Sequence, residues 1–188
     1  KPFRDRQRPT DYGTAISPDP EKTSFSQEYA FAPSPSGELV AAITGNRNGG
    51  EADIVMLSAR NGSVVKNLTK GYTGKYEGLT FPGEGFVTGR TIDFSPKGDA
   101  VAFVGRTGKK RSLFLVSPLS GEVLKKIPVD LDEVESPCIL PNGTQALFAA
   151  TREGVADIYL MNLETGEYKN LTQDPFFDGN PRISPDGT

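Results

Sequence analysis

The side chains that carry out covalent and acid–base chemistry are scarce in this sequence. Histidine is absent, and Cys138 is the only cysteine. This excludes Ser-His-Asp and Cys-His nucleophile systems, histidine metal ligation and the usual side chain for proton transfer near neutral pH. An internal disulfide and a cysteine-rich metal site are excluded as well. No Asp or Glu pair stands apart from solvated surface, so a self-contained carboxylate hydrolase finds little support. Asp53 and Asp157 recur at the starts of expected strands. Each is one carboxylate without the clustered oxygens that calcium needs, and reads as a turn former. The glycine-rich segment 71–89 lacks the spacing and the lysine of a phosphate loop. No catalytic residue, metal or cofactor is expected, which leaves binding and scaffolding.

The residues suited to binding are aromatic. Tyr72, Tyr76, Phe81 and Phe86 fall in segment 71–89, and Phe176 and Phe177 in segment 174–180. They form an apolar contact surface with a polar rim, or else plug gaps as a local core. Asp93 and Arg182, like Ala32 and Cys138, stand three residues before a turn proline or its equivalent. By the two-residue period of a strand they face away from the apolar Phe94, Ile139 and Ile183. They line a polar channel mouth, or are satisfied structural charges. The candidate partner-binding set is Tyr72, Tyr76, Phe176, Phe177, Asp178, Arg90, Asp93 and Arg182, and the partner is a protein or peptide, the remaining blades or another subunit of a larger assembly being among the alternatives. Twenty-one Lys and Arg against 24 Asp and Glu, with the signs mixed, give no concentrated basic footprint for nucleic acid. The longest apolar runs fall far short of the ~20 residues of a spanning helix, so no membrane insertion by this segment is expected.

The elements that position these residues repeat. A Ser-Pro-X-Gly turn occurs at Ser34–Gly37, Ser95–Gly98 and Ser184–Gly187, with Leu140-Pro141-Asn142-Gly143 as a variant. Proline presets φ at the second turn position, and glycine follows where φ becomes positive. The prolines are 61, 45 and 44 residues apart. Apolar strands follow each turn, at Leu39–Ile43, Ala100–Val104 and Gln145–Ala150. Second strands lie at Asp53–Leu57, Ser112–Val116 and Asp157–Met161. Glycine turns at Gly62, Gly121 and Gly166 lead to last strands ending near Leu68, Ile127 and Leu171. With the segment before each proline turn, this makes four strands per repeat.

Four antiparallel strands every ~45 residues is the spacing of a propeller blade, whose sheets are covered on both faces. The near-continuous apolar strands and recurrent alanines (Ala41, Ala42, Ala100, Ala102, Ala149, Ala150) fit that packing. The longer first interval places two extra residues in a hairpin and 14 in the connection between the first two blades, across 71–89. The expected fold is all-β: residues 1–28 a linker or extended segment, and 29–188 a partial propeller. Its blades run over about 29–72, 89–134 and 135–180, with the start of another at 181–188. The chain is expected to be a fragment of a larger propeller, any targeting sequence lying outside it. Asn61-Gly62-Ser63, Asn67-Leu68-Thr69, Asn142-Gly143-Thr144 and Asn170-Leu171-Thr172 match the N-glycosylation pattern. They coincide with repeat turns and strand ends, so the repeat itself explains them.

Asp157-Ile158-Tyr159, Gly166, Leu171-Thr172 and Ser184-Pro185-Asp186-Gly187 resemble the TolB-type propeller repeat, a relative of the WD-repeat blade. Asp53-Ile54-Val55 with Leu68-Thr69 match it less fully. The middle repeat departs from it, with Arg111-Ser112-Leu113 and Ile127-Pro128 in place of the two signatures. The resemblance covers residues 29–188. It implies an extracytoplasmic bacterial protein, periplasmic or associated with the cell envelope, that docks a partner on the propeller face. The alternative it carries is the propeller domain of a prolyl-oligopeptidase-like serine peptidase whose catalytic domain is not in this chain.

Overall fold

A computed structural model of the chain describes residues 25–46, 52–70, 78–79 and 91–184. Segments 1–24, 47–51, 71–77, 80–90 and 185–188 lie outside the described residues, and with them Tyr72, Tyr76, Phe81, Phe86 and Arg90. The described residues form three antiparallel sheets, one per repeat. The first runs β1 (Phe25–Pro33), β2 (Leu39–Asn46), β3 (Asp53–Ser58) and β4 (Val64–Asn67) in spatial order. In the second, β5 (Gly78–Leu79) and β6 (Ile92–Phe94) share one edge of β7 (Val101–Thr107), followed by β8 (Lys110–Val116) and β9 (Val123–Val129). The third runs β10 (Glu133–Ile139), β11 (Gln145–Arg152), β12 (Val155–Asn162) and β13 (Tyr168–Asn170). Strands β1 and β10 begin earlier than the expected blade boundaries, and Phe25–Glu28, at the end of the expected linker or extended segment, lie in strand β1.

Turn chemistry sets each sheet. The glycine N–H donates to the carbonyl three residues back at Gly37 (2.9 Å), Gly98 (2.8 Å) and Gly143 (2.8 Å). These glycines have φ of 72°, 74° and 70°, in the left-handed region where a Cβ is costly.

Apolar side chains on the two faces of the middle sheet pack against different neighbours. Ile92, Phe94, Val101, Phe103, Phe114 and Val116 join Ala41, Ile43, Ile54 and Met56 of the first sheet in one core. From the other face Ala102, Val104, Leu113 and Leu115 join Ile139, Ala146, Phe148, Tyr159 and Met161 of the third. Matching register puts an aromatic pair at the same place in successive sheets. Phe103 stacks on Phe114 with centroids 5.2 Å apart, and Phe148 on Tyr159 at 5.5 Å. A fully buried side chain of this size contributes roughly 1.5–3 kcal/mol. The interfaces between sheets are therefore the cores.

Two sequence expectations are corrected by the register. Gly105, nine residues after its turn proline, pairs with Leu79, while Ala150, nine after its own, pairs with Val134. Thirteen residues separate Leu79 from Asp93, against three between Val134 and Cys138. Ten of the 14 extra residues thus lie in sequence between β5 and β6, mostly outside the described residues, and only four precede β5. All three innermost strands are irregular at this level: β1 shifts register between Glu28 and Ala30, and β10 between Glu135 and Cys138. An extra residue in a strand bends it and re-aims its side chains.

The second correction concerns the middle repeat. Thr44, Gly105 and Ala150 pair with Asp53, Ser112 and Asp157. Ser112, and not Arg111, therefore occupies the aspartate position of the motif.

Candidate binding mouth

Antiparallel strands sort the loops between two ends of the assembly. The proline turns and the glycine turns after β3, β8 and β12 lie at one end, the turn mouth. The connections between blades and the β7–β8 and β11–β12 hairpin tips lie at the other, the connection mouth.

At the connection mouth, Asp132 ties the connection from blade two onto blade three, and an ion pair joins the two blades. The Asp132 N–H donates to the Thr151 carbonyl at 3.0 Å, and the Asp132 carboxylate accepts the Glu153 N–H at 3.1 Å. The Arg111 guanidinium pairs with Glu133. Together they frame an open cleft of about 390 Å³. Arg106, Lys109 and Arg111 of β7, β8 and the tip between them supply one wall; Asp130 and Asp132 of the β9–β10 connection, with Glu133 at the start of β10, supply the other. The Arg111 side chain is 10% exposed, while Glu133 is 57% exposed. One guanidinium nitrogen of Arg111 holds Glu133, whereas its buried Nε has no hydrogen-bond partner among the described residues.

Just inside β10, burial pushes the Glu135 carboxyl up to about 7, with the charge of Glu133 adding to the shift. Ser136 beside it is fully buried with φ of 51°, and its hydroxyl has no partner among the described residues. Residues in that region cost of order 1–3 kcal/mol and persist only where their surroundings hold them.

Sequence reasoning did not select this cleft. Arg106, Lys109 and Glu133 look like ordinary surface charges, and nothing local says that Arg111 is buried. Its one trace is the departure of the middle repeat from the motif.

Of the selected residues, Phe176, Phe177 and Asp178 lie in the connection at this mouth, after β13, and Arg182 follows further along the same segment, at the repeat position of Asp93 and Cys138 beside the proline turn. Phe176 is 72% and Phe177 52% exposed. The Phe176 N–H donates to Asp174, and the Asp178 N–H to the Ala156 carbonyl, both at 2.8 Å. Arg182 is exposed and donates from Nη1 to the Pro181 carbonyl at 2.7 Å. Asp93 lies a blade away in β6, half-buried, and its carboxylate accepts the Ile139 N–H of the next innermost strand at 3.1 Å. Ala32 and Cys138, at the corresponding positions, are buried. Asp93 thus fits the reading of a satisfied structural charge, through its bond to Ile139.

Asp53 and Asp157 prove to be more than turn formers. Asp157 accepts from Asn170 Nδ2 at 2.7 Å and from the Thr172 hydroxyl at 3.1 Å, and that hydroxyl accepts the Ile158 N–H at 3.1 Å. Asp53 does the same with Asn67 (2.9 Å) and Thr69 (2.6 Å), whose hydroxyl accepts the Ile54 N–H at 3.0 Å. The Asn-Leu-Thr tripeptides are thus the far side of a closing network. Among the described residues no three His, Cys, Asp or Glu side chains converge as a metal site, and no helix is long and apolar enough to cross a membrane.

No family model and no curated protein matches the chain. Solved structures do. TolB from Acinetobacter baumannii superposes with a TM-score of 0.65 at 20% identity, over 86% of this chain and 36% of that one. The fold is a TolB-like β-propeller. A putative TolB from Agrobacterium tumefaciens gives 0.60 at 20% identity, over 86% of this chain and 51% of that one. The β-propeller domain of the Trilobed protease from Pyrococcus furiosus gives 0.52 at 16% identity, over 79% and 44%. The propeller portion seen here thus spans between about a third and a half of the length of the structures it matches. Each sheet is a blade, with β1, β5–β6 and β10 innermost.

Proposed function

We propose that this chain belongs to a non-catalytic propeller that docks a protein or peptide partner on its connection mouth, within the bacterial cell envelope. The observation that carries the reading is the concentration of irregular structure at that mouth. The charged cleft between blades two and three and the exposed Phe176 and Phe177 both lie there, while the turn mouth repeats one tight turn. Exposed aromatics beside charged groups are the composition of contact surfaces. The extracytoplasmic location rests on the resemblance to the TolB-type repeat and on the likeness to TolB structures. A second reading, the propeller domain of a serine peptidase, is favoured by the likeness to the Trilobed protease domain.

Site-specific photocrosslinking tests the docking. Benzoylphenylalanine replacing Phe176 on the connection mouth should give adducts in the native host. The same probe replacing Leu119, 78% exposed on the turn mouth, should give none. Adducts from position 119 alone would assign docking to the wrong end. Hydrolysis of peptides by the parent protein, lost on substitution in a separate catalytic domain, would favour the second reading.

A further inference from the structure

The cleft between blades two and three has a charge pattern that selects one kind of ligand. Its two walls carry opposite charge: Arg106, Lys109 and Arg111 face Asp130, Asp132 and Glu133. Only Arg111 and Glu133 pair across it among the described residues. Arg106 and Lys109 have no ion pair there, and Asp130 uses its backbone carbonyl, not its carboxylate, to accept the Tyr168 hydroxyl. A simple anion is drawn to one wall and repelled by the other, and a simple cation likewise. A ligand carrying both charges a few ångströms apart satisfies both.

The volume and Arg111 narrow the choice. About 390 Å³ is near the lower end of small-ligand sites, suited to a chain end and not to a folded surface. Arg111 is already desolvated and holds an exposed carboxylate through one nitrogen, with Nε unpaired. Arginine is suited to two-point contact with a carboxylate, and a buried donor left unmade is costly. A carboxylate that displaces Glu133 and engages both nitrogens removes that cost.

We propose that this cleft binds the C-terminal end of a peptide whose last residue is lysine or arginine. The α-carboxylate meets Arg111 with Arg106 and Lys109, and the cationic side chain meets Asp130 and the displaced Glu133. The proposal rests on the docking reading above and gives it a ligand class.

Titration calorimetry of the full chain tests it with three probes: acetyl-Ala-Ala-Lys as the free acid, the same peptide as its C-terminal amide, and acetyl-Ala-Ala-Ala as the free acid. The first should bind with Kd of about 1 mM or below, and the other two at least about tenfold more weakly. Arg106→Ala with Lys109→Ala should erase the preference for acid over amide, and Asp130→Asn the preference for lysine over alanine. Arg106 is half-buried and Lys109 exposed, so an unchanged melting temperature is the expected control for folding. Equal binding of acid and amide by the unmodified chain would overturn the proposal, as would no binding at about 10 mM. Either result, alongside retained crosslinking from position 176, would leave the docking reading standing.

Discussion

Blades one and three close differently from blade two. In the first and third, an aspartate near the start of the third strand gathers an asparagine from the end of the fourth and a threonine from beyond it. Strands β4 and β13 end at Asn67 and Asn170, the last main-chain bonds run from the Leu68 and Leu171 N–H to the Ile54 and Ile158 carbonyls, and side chains take over. In the second, the same positions hold Ser112, Lys126 and Pro128, and β9 continues its ladder to Val129 against Arg111. Proline is tolerated there because β9 is an edge strand. Closure by backbone leaves the corner of this blade without the aspartate network. Arg111, one residue before the network position, faces the next blade and forms the cleft wall with Glu133. Loss of a structural motif and gain of a candidate binding site occur at one corner.

The comparison breaks most visibly if the networks are dispensable. Asp157 is 6% exposed, so Asp157→Ala should lower unfolding stability by about 3 kcal/mol, through lost charge-assisted bonds and stranded partners. Ser112→Ala at the matching position should cost under about 1 kcal/mol. Urea unfolding measures both, and equal losses would mean that the aspartate network does no more than the serine.

Burial should then separate the two networks from each other. Thr69 is 4% exposed, whereas Thr172 is exposed at the surface. Thr69→Val should cost about 2 kcal/mol, and Thr172→Val less than half as much, because water can replace the second hydroxyl. Matching losses would show that the hydrogen-bond pattern, independent of solvent, sets the strength of closure.

A smaller effect sharpens the view of the cleft side. Glu135 titrates near 7 in the folded chain, against an ordinary value of 4.5, because burial disfavours its charged form. The folded state then binds more protons than the unfolded state between these values, and stability falls as pH rises through that window. Below about pH 4.5 the penalty is absent, and above about 7 it is complete. Glu135→Gln should therefore raise the melting temperature by a few degrees at pH 8 and leave it nearly unchanged at pH 4. A gain of equal size at both pH values would trace the effect to packing.

The smallest expected effect is on the aromatics. Phe176→Ser with Phe177→Ser should move stability by no more than about 0.5 kcal/mol, since both side chains are largely exposed. A large loss would make them a cap on blade three and remove them from the docking surface.

Much of this architecture is written in the chain. Ser95-Pro96-Lys97-Gly98 and its counterparts specify reversals by local φ preference, and apolar runs such as Val101–Val104 state that both faces of a strand are covered. Recurrence fixes the blade because each turn and strand is specified by neighbours within a few residues. The exposed Phe176 and Phe177 were legible as candidates for a similar reason, being bulky apolar residues among turn formers.

The rest depended on distances that periodicity does not encode. Repeat spacing placed 14 extra residues in the connection between the first two blades, yet only the pairing of Leu79 with Gly105 shows that ten of them separate β5 from β6 in sequence. Asp93 reads equally well as a channel charge until Ile139, 46 residues on, presents its N–H from the next blade. Arg111 and Glu133 are 22 residues apart, on separate sheets. A repeat dictates what each blade is, because its interactions are local. Which residues meet between blades is decided by packing, since those contacts depend on the register and bend of two sheets together.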